Sequence, residues 1–105
     1  MQQDSFDSFH QFYPYYLSEH SKSGTKIFHF IGTILVIVYL IMFYAYLDFI
    51  YFLLIPISGY GFAWFSHLFI EKNKPATFRY PLYSLAGDFL MFWHIIIGKV
   101  KIFNS

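Results

Sequence analysis

The chain has no cysteine. That excludes disulfides, thiolate catalysis, iron–sulfur clusters and cysteine-ligated zinc, and it leaves histidine, carboxylate or backbone oxygen as the only ligands for a metal. Charge is scarce as well: 12% of the 105 residues are Asp, Glu, Lys or Arg, and the formal net charge is +1. No run of more than a few lysines and arginines occurs, so there is no field to collect nucleic acid, and that class of partner is set aside. The N-terminus lacks the positive region and following apolar run of a secretory signal; its first charged residues are the acidic Asp4 and Asp7. No repeat or low-complexity segment stands out.

What is present is apolar surface. The chain is 57% hydrophobic and 26% aromatic, far above a soluble domain, which makes it a membrane protein by composition. Its length allows one small domain whose apolar surface mostly faces lipid. The expected fold class is all-α, an integral membrane bundle of three to four helices.

Residues 5–20 carry Phe6, Phe9, Tyr13, Tyr16 and Leu17 at spacings of three and four, interrupted by Pro14. This predicts short amphipathic helices lying in the membrane interface. Ser21 to Gly24 break the pattern. From Ile27 to Leu47 no Asp, Glu, Lys or Arg occurs, enough to cross a hydrocarbon core of about 30 Å, and 27–47 is the first expected span. Asp48 marks a tight turn, and 49–70 forms a second span, with a kink expected at Pro56 and Gly59. After a polar loop holding Lys72, Asn73, Lys74, Pro75 and Arg79, residues 82–97 are apolar except for Asp88 and His94.

Lys22 and Lys26 precede the first span, Lys72, Lys74 and Arg79 follow the second, and the turn between them has no basic residue. Both ends of the hairpin are therefore expected on the cytoplasmic side. Lys99 and Lys101 favour the same side for the C-terminus, so segment 82–97 either crosses against a weak bias or is re-entrant or interfacial.

This hairpin puts His29, near the start of span one, and His67, near the end of span two, at one membrane depth. Gly59, Ala63 and His67 recur every four residues, and His29 shares a face with Gly32, so small residues that permit close helix approach lie on the same stripes as the imidazoles. A fold-back at Ser23 and Gly24 would bring His20 beside His29. Glu71, one turn after His67, adds a carboxylate. Three imidazoles and a carboxylate form a set suited to iron(II), manganese or zinc with positions left open for substrate.

Plainer readings exist for each residue. Histidines near an interface serve as amphipathic anchors, and Glu71 serves with Lys72 and Lys74 to mark the membrane boundary. Asp88 is costly in an apolar segment unless it faces the bundle, where it either orients a ligand histidine or caps Ser84 and its neighbours. His94 reads as interfacial, His10 carries no assignment, and Trp64, Trp93 and the tyrosines read as interface anchors and packing.

The segments Phe12-Tyr13-Pro14, Tyr16-Leu17, Glu19-His20, His29 to Thr33, Gly59 to His67, Glu71 to Phe78, Tyr80-Pro81, Ser84-Leu85 and Gly87-Asp88 together resemble the small integral-membrane family of the fungal 2-hydroxy fatty acid dioxygenase, in its short prokaryotic-type branch. The likeness covers roughly residues 12–98, and the block from Gly59 to Phe78 is its specific part. Between the first two histidines the family usually has Asn-Pro-x-Asn, where this chain reads Lys22-Ser23-Gly24-Thr25. The resemblance implies iron(II)-dependent alpha-oxidation, in which a 2-hydroxy fatty acid and molecular oxygen give a fatty acid one carbon shorter. It implies His20, His29 and His67 as metal ligands, Glu71 as a fourth ligand or a partner of one, and Asp88 and Glu71 as catalytic candidates.

The implied location is the cytoplasmic membrane in a prokaryote or the endoplasmic reticulum in a eukaryote, with the acyl tail between helices or in the bilayer. Lys26, Lys72, Lys74 and Arg79 either attract the carboxylate or only set topology. Five histidines fall short of the eight or more that a membrane di-iron hydroxylase needs. The rival reading is a non-catalytic membrane protein that binds metal or lipid. Homo-oligomerisation is an option for so small a chain, and nothing in the sequence fixes it.

Overall fold

The computed structural model describes residues 6–74 and 79–103. Asp4, Ser5 at the start of the first expected segment, and Pro75 to Phe78 at the end of the specific block lie outside the described residues. Those described are all-helical: α1 (Phe9–Ser18), α2 (Ser23–Tyr46), α3 (Phe49–Ser66) with a π-helical turn continuing it (His67–Glu71), and α4 (Pro81–Ile96). No strand occurs among them.

Helix α1 is one helix where a broken segment is expected. Ser8 caps it, its Oγ accepting from Gln11 N at 3.3 Å, and the chain runs on through Pro14. Proline has no N–H to give the His10 carbonyl, a loss the helix tolerates because α1 packs along α4. Phe12 and Tyr16 are fully buried there against Met91, with Phe6, Phe9 and Tyr83 around them. This is the aromatic core of the molecule, and it forms the floor beneath the site.

Helix α2 begins at Ser23, so Ser23 and Gly24 are its first turn and the break falls earlier, over Glu19 to Lys22. With 24 residues it is about 36 Å long. Leu47 ends it in the left-handed region (φ 54°), its N–H donating to Phe43 O at 2.7 Å, and Asp48 caps α3 by accepting from Ile50 N at 3.1 Å. Two residues thus close the hairpin. Helix α3 continues through Pro56 and Gly59 and runs on into the π turn.

Helices α2 and α3 share the most extensive contact in the fold, and Gly32 shows why small residues are needed there. A Cβ added at Gly32 would come within 3.2 Å of Ser58 O and of Phe62 Cβ. The backbones can approach this closely only without a side chain. Both helices are long and apolar enough to cross a membrane, and only 17% of the most apolar window of each is buried. That low burial separates them from the core helix of a soluble protein. Ile41, Tyr44, Leu47, Phe49 and Ile57 point outward, where lipid would cover them.

Helix α4, with 16 residues, is shorter than either and packs on both α1 and α2.

Candidate metal centre

His20, His29 and His67 come from three separate places: the turn after α1, the second turn of α2, and the start of the π turn. All three are buried, and each offers a ring nitrogen such that these atoms lie within 4.8 Å of one another. His20 meets His29 and His67 edge to face, with ring centroids 4.3 and 4.5 Å away. His20 is therefore folded back beside His29, through the break at Glu19 to Lys22 and not at Ser23 and Gly24.

The hydrogen bonds fix which nitrogen of each ring faces inward. His20 Nδ1 lies 2.6 Å from the carbonyl oxygen of Tyr16, which can only accept, so Nδ1 carries the proton. His29 Nδ1 lies 3.2 Å from Asp88 Oδ1. His67 Nδ1 lies 2.6 Å from Asn73 Oδ1, while the same amide donates through Nδ2 to Glu19 O at 3.2 Å. Each Nδ1–H is thus spent on an outer acceptor, and each Nε2 is left with its lone pair. This is the arrangement by which outer partners orient metal-ligating histidines.

Nε2 of His67 lies 2.9 Å from Nε2 of His20, close enough for the two atoms to share one proton in a hydrogen bond or, both unprotonated, to sit around a cation. His29 Nε2 is buried without a hydrogen-bond partner among the described residues. A cavity of about 10 Å³, the room a water-sized species needs, lies among these rings and is bordered also by Tyr16, Ser84 and Asp88. Three imidazole Nε2 atoms fit iron(II), manganese or zinc.

Burial, and secondarily the two neighbouring imidazoles, lower the His20 pKa well below its ordinary value, which keeps that ring neutral and ready to bind. Tyr16 stacks on His20 at 4.0 Å and its hydroxyl donates to Asp88 Oδ1, the oxygen that also accepts from His29. Burial, and then the Asp88 carboxylate, push the Tyr16 phenol far up, so it remains a donor. Tyr16 can approach so closely because Gly87 faces it: a Cβ there would lie 2.9 Å from the ring.

Glu71 does not join the imidazoles. Its Oε2 accepts from Lys22 N and Thr25 Oγ1, both at 2.9 Å, and its Oε1 from Ser21 N and Oγ at 3.4 and 3.3 Å. Lys22, at the cap position of α2, makes no side-chain cap of its own, so Glu71 caps the helix from the end of the hairpin. Lys22 Nζ returns a bond to Ile70 O at 3.1 Å. The π turn makes this division possible, sending His67 inward and Glu71 over the start of α2.

Tyr16, Asn73 and Thr25 had no site role in the sequence reading, and Ser84 entered it only as a group for Asp88 to cap. Tyr16 and Ser84 each stand four residues before a polar residue of the centre, His20 and Asp88, a helical spacing that would have flagged them. Thr25 likewise stands four residues before His29, on the same helix, whereas Asn73, six after His67, gave no such signal. His94 accepts or donates at Nδ1 with Tyr13 Oη, 2.7 Å away, and His10 is exposed; neither reaches the centre. Lys26 Nζ donates to Lys101 O at 2.8 Å.

No curated protein and no solved structure matches the chain significantly. A family model described as 2-hydroxy-palmitic acid dioxygenase Mpo1-like matches residues 6–100, a stretch that takes in all three histidines, Glu71 and Asp88. The chain belongs to the Mpo1-like family.

Proposed function

We propose that the protein is an iron(II)-dependent dioxygenase of the membrane that converts a 2-hydroxy fatty acid into the fatty acid one carbon shorter. The observation that carries this reading is the convergence of three inward Nε2 atoms, each ring held by an outer hydrogen bond at Nδ1. Family membership supplies the substrate class. The balance of the reaction is one 2-hydroxy acid and one oxygen molecule in, and the shortened acid, carbon dioxide and water out. The bond between the carboxyl carbon and the hydroxyl-bearing carbon breaks.

In this reading His20, His29 and His67 hold iron(II), which supplies the redox chemistry that lets oxygen react with an unactivated hydroxy acid. The carboxylate and 2-hydroxyl of the substrate, a pair able to chelate, would lie against these three rings. Asp88 keeps the His29 proton on Nδ1, and the Tyr16 hydroxyl holds Asp88 in place. Ser84 Oγ, buried at the edge of the centre with no partner among the described residues, is a hydrogen-bond donor left for the substrate carboxylate or hydroxyl. The apolar floor of Phe12, Tyr16 and Met91 excludes water beneath the site. Glu71 acts by holding the start of α2, and so His20 and His29, in register.

The test is oxygen uptake by purified protein loaded anaerobically with iron(II), given a long-chain 2-hydroxy fatty acid or its non-hydroxylated parent, with His67→Ala as control. Uptake that needs the hydroxyl group and His67 supports the proposal. Iron bound without uptake favours the rival metal-binding role, and absence of bound iron removes the iron site and leaves the lipid-binding form of the rival.

A further inference from the structure

A second cavity, of about 240 Å³, opens beside the metal centre and shares His29 and Asp88 with it. Its walls are Thr33 and Val36 on α2, Pro56 and Gly59 on α3, and Leu85 and Phe89 on α4. On α4 the division is regular: Ser84 and Asp88 border the small polar cavity, and Leu85 and Phe89, each one residue later, line the apolar one. On α2 the chamber runs from His29 to Val36, about 10 Å along the helix, away from the histidines and toward the middle of the bundle. A polar end at the metal ligands and an apolar body beyond them match an amphiphile with one compact head and one aliphatic tail.

We infer that this chamber holds the acyl chain of the substrate fatty acid, head at His29 and Asp88 and tail past Val36, and that Val36 sets the chain length accepted. The inference rests on the dioxygenase reading for the identity of the head group. It also fits the way such a substrate is presented. A fatty acid in a leaflet has its carboxylate at the interface and its tail toward the midplane, the same direction as the chamber, so it can move in sideways between α3 and α4 without turning over.

The experiment is equilibrium binding, in detergent and under argon, to protein loaded with manganese(II), so that turnover plays no part. A fluorescent polyene fatty acid is displaced by 2-hydroxy fatty acids of graded chain length from the native protein and from Val36→Phe and Val36→Ala. Val36→Phe should weaken long-chain binding by about tenfold, the equivalent of roughly two buried methylenes, and leave short-chain binding and metal content as they were. Val36→Ala should shift the preference toward longer chains. Opposite shifts at one position support the chamber, whether or not iron-loaded protein consumes oxygen. An unchanged chain-length profile in both variants, or no displacement from the native protein, overturns it and leaves the oxygen-uptake test of the reaction intact.

Discussion

Glu71 accepts a hydrogen bond from the backbone N–H of Lys22 at 2.9 Å, tying the end of the α2–α3 hairpin to its beginning. A carboxylate one turn from a histidine reads in sequence as a ligand, and its contacts are those of a helix cap. Glu71→Gln keeps an acceptor for Lys22 N and loses the charge, so bound metal should stay near its native amount. Glu71→Ala should cost about 1–2 kcal/mol of stability and lower metal affinity with it. Thermal unfolding beside metal analysis of both variants checks this; metal lost from the Gln variant at unchanged stability would make Glu71 a ligand after all.

Asp88→Asn should weaken metal binding by roughly 10–100-fold, because an amide can present its NH2 to His29 Nδ1 and turn the ring proton toward the centre. Tyr16→Phe keeps the ring against His20 and removes only the donor to Asp88, so its effect on affinity should be smaller and of the same sign. Competition with a chelator of known affinity measures both.

Ser84→Ala should leave metal content unchanged and raise KM for the 2-hydroxy acid by about fivefold, the worth of one net hydrogen bond of about 1 kcal/mol. Ser84→Thr, which retains the hydroxyl, should recover part of it. A KM equal to the native value in the Ala variant would free Ser84 of any role with substrate.

The lowered pKa of His20 gives a pH dependence of definite sign. In the unfolded chain this imidazole titrates near 6.5, and in the folded protein it protonates only well below that. Stability of the metal-free protein is therefore full above about pH 6.5 and is lost as pH falls from there through the folded value, at up to about 1.4 kcal/mol per unit. Thermal unfolding across mildly acidic pH, with His20→Gln as comparison, should show a steeper decline in the native protein. Metal affinity should fall over the same direction of pH.

The two apolar helices and the meeting of His29 with His67 were legible because both follow from runs of uncharged residues and a short turn at Asp48. The small-residue stripes were legible for the same reason, since Gly32 has no side chain to read otherwise. The start of α2 was placed four residues late, because the group that caps it, Glu71, is far away in sequence. Helix α1 was divided at Pro14, because the packing that carries it past the missing hydrogen bond comes from α4. Glu71 was assigned by α-helical spacing, and a π turn, which no local residue type announces, redirects it.

The three histidines are drawn from segments that only the closed hairpin and the folded-back α1 bring together. An ion held by them would join residues 20, 29 and 67 as a removable cross-link, closing two loops at once. Because it binds the assembled state and hardly at all the open chain, its binding free energy would add to the folding free energy in proportion to the logarithm of its free concentration. A small bundle with so much of its apolar surface on the outside would then draw its internal order partly from the same atom that would serve its chemistry, and metal supply would set how much of the protein is folded.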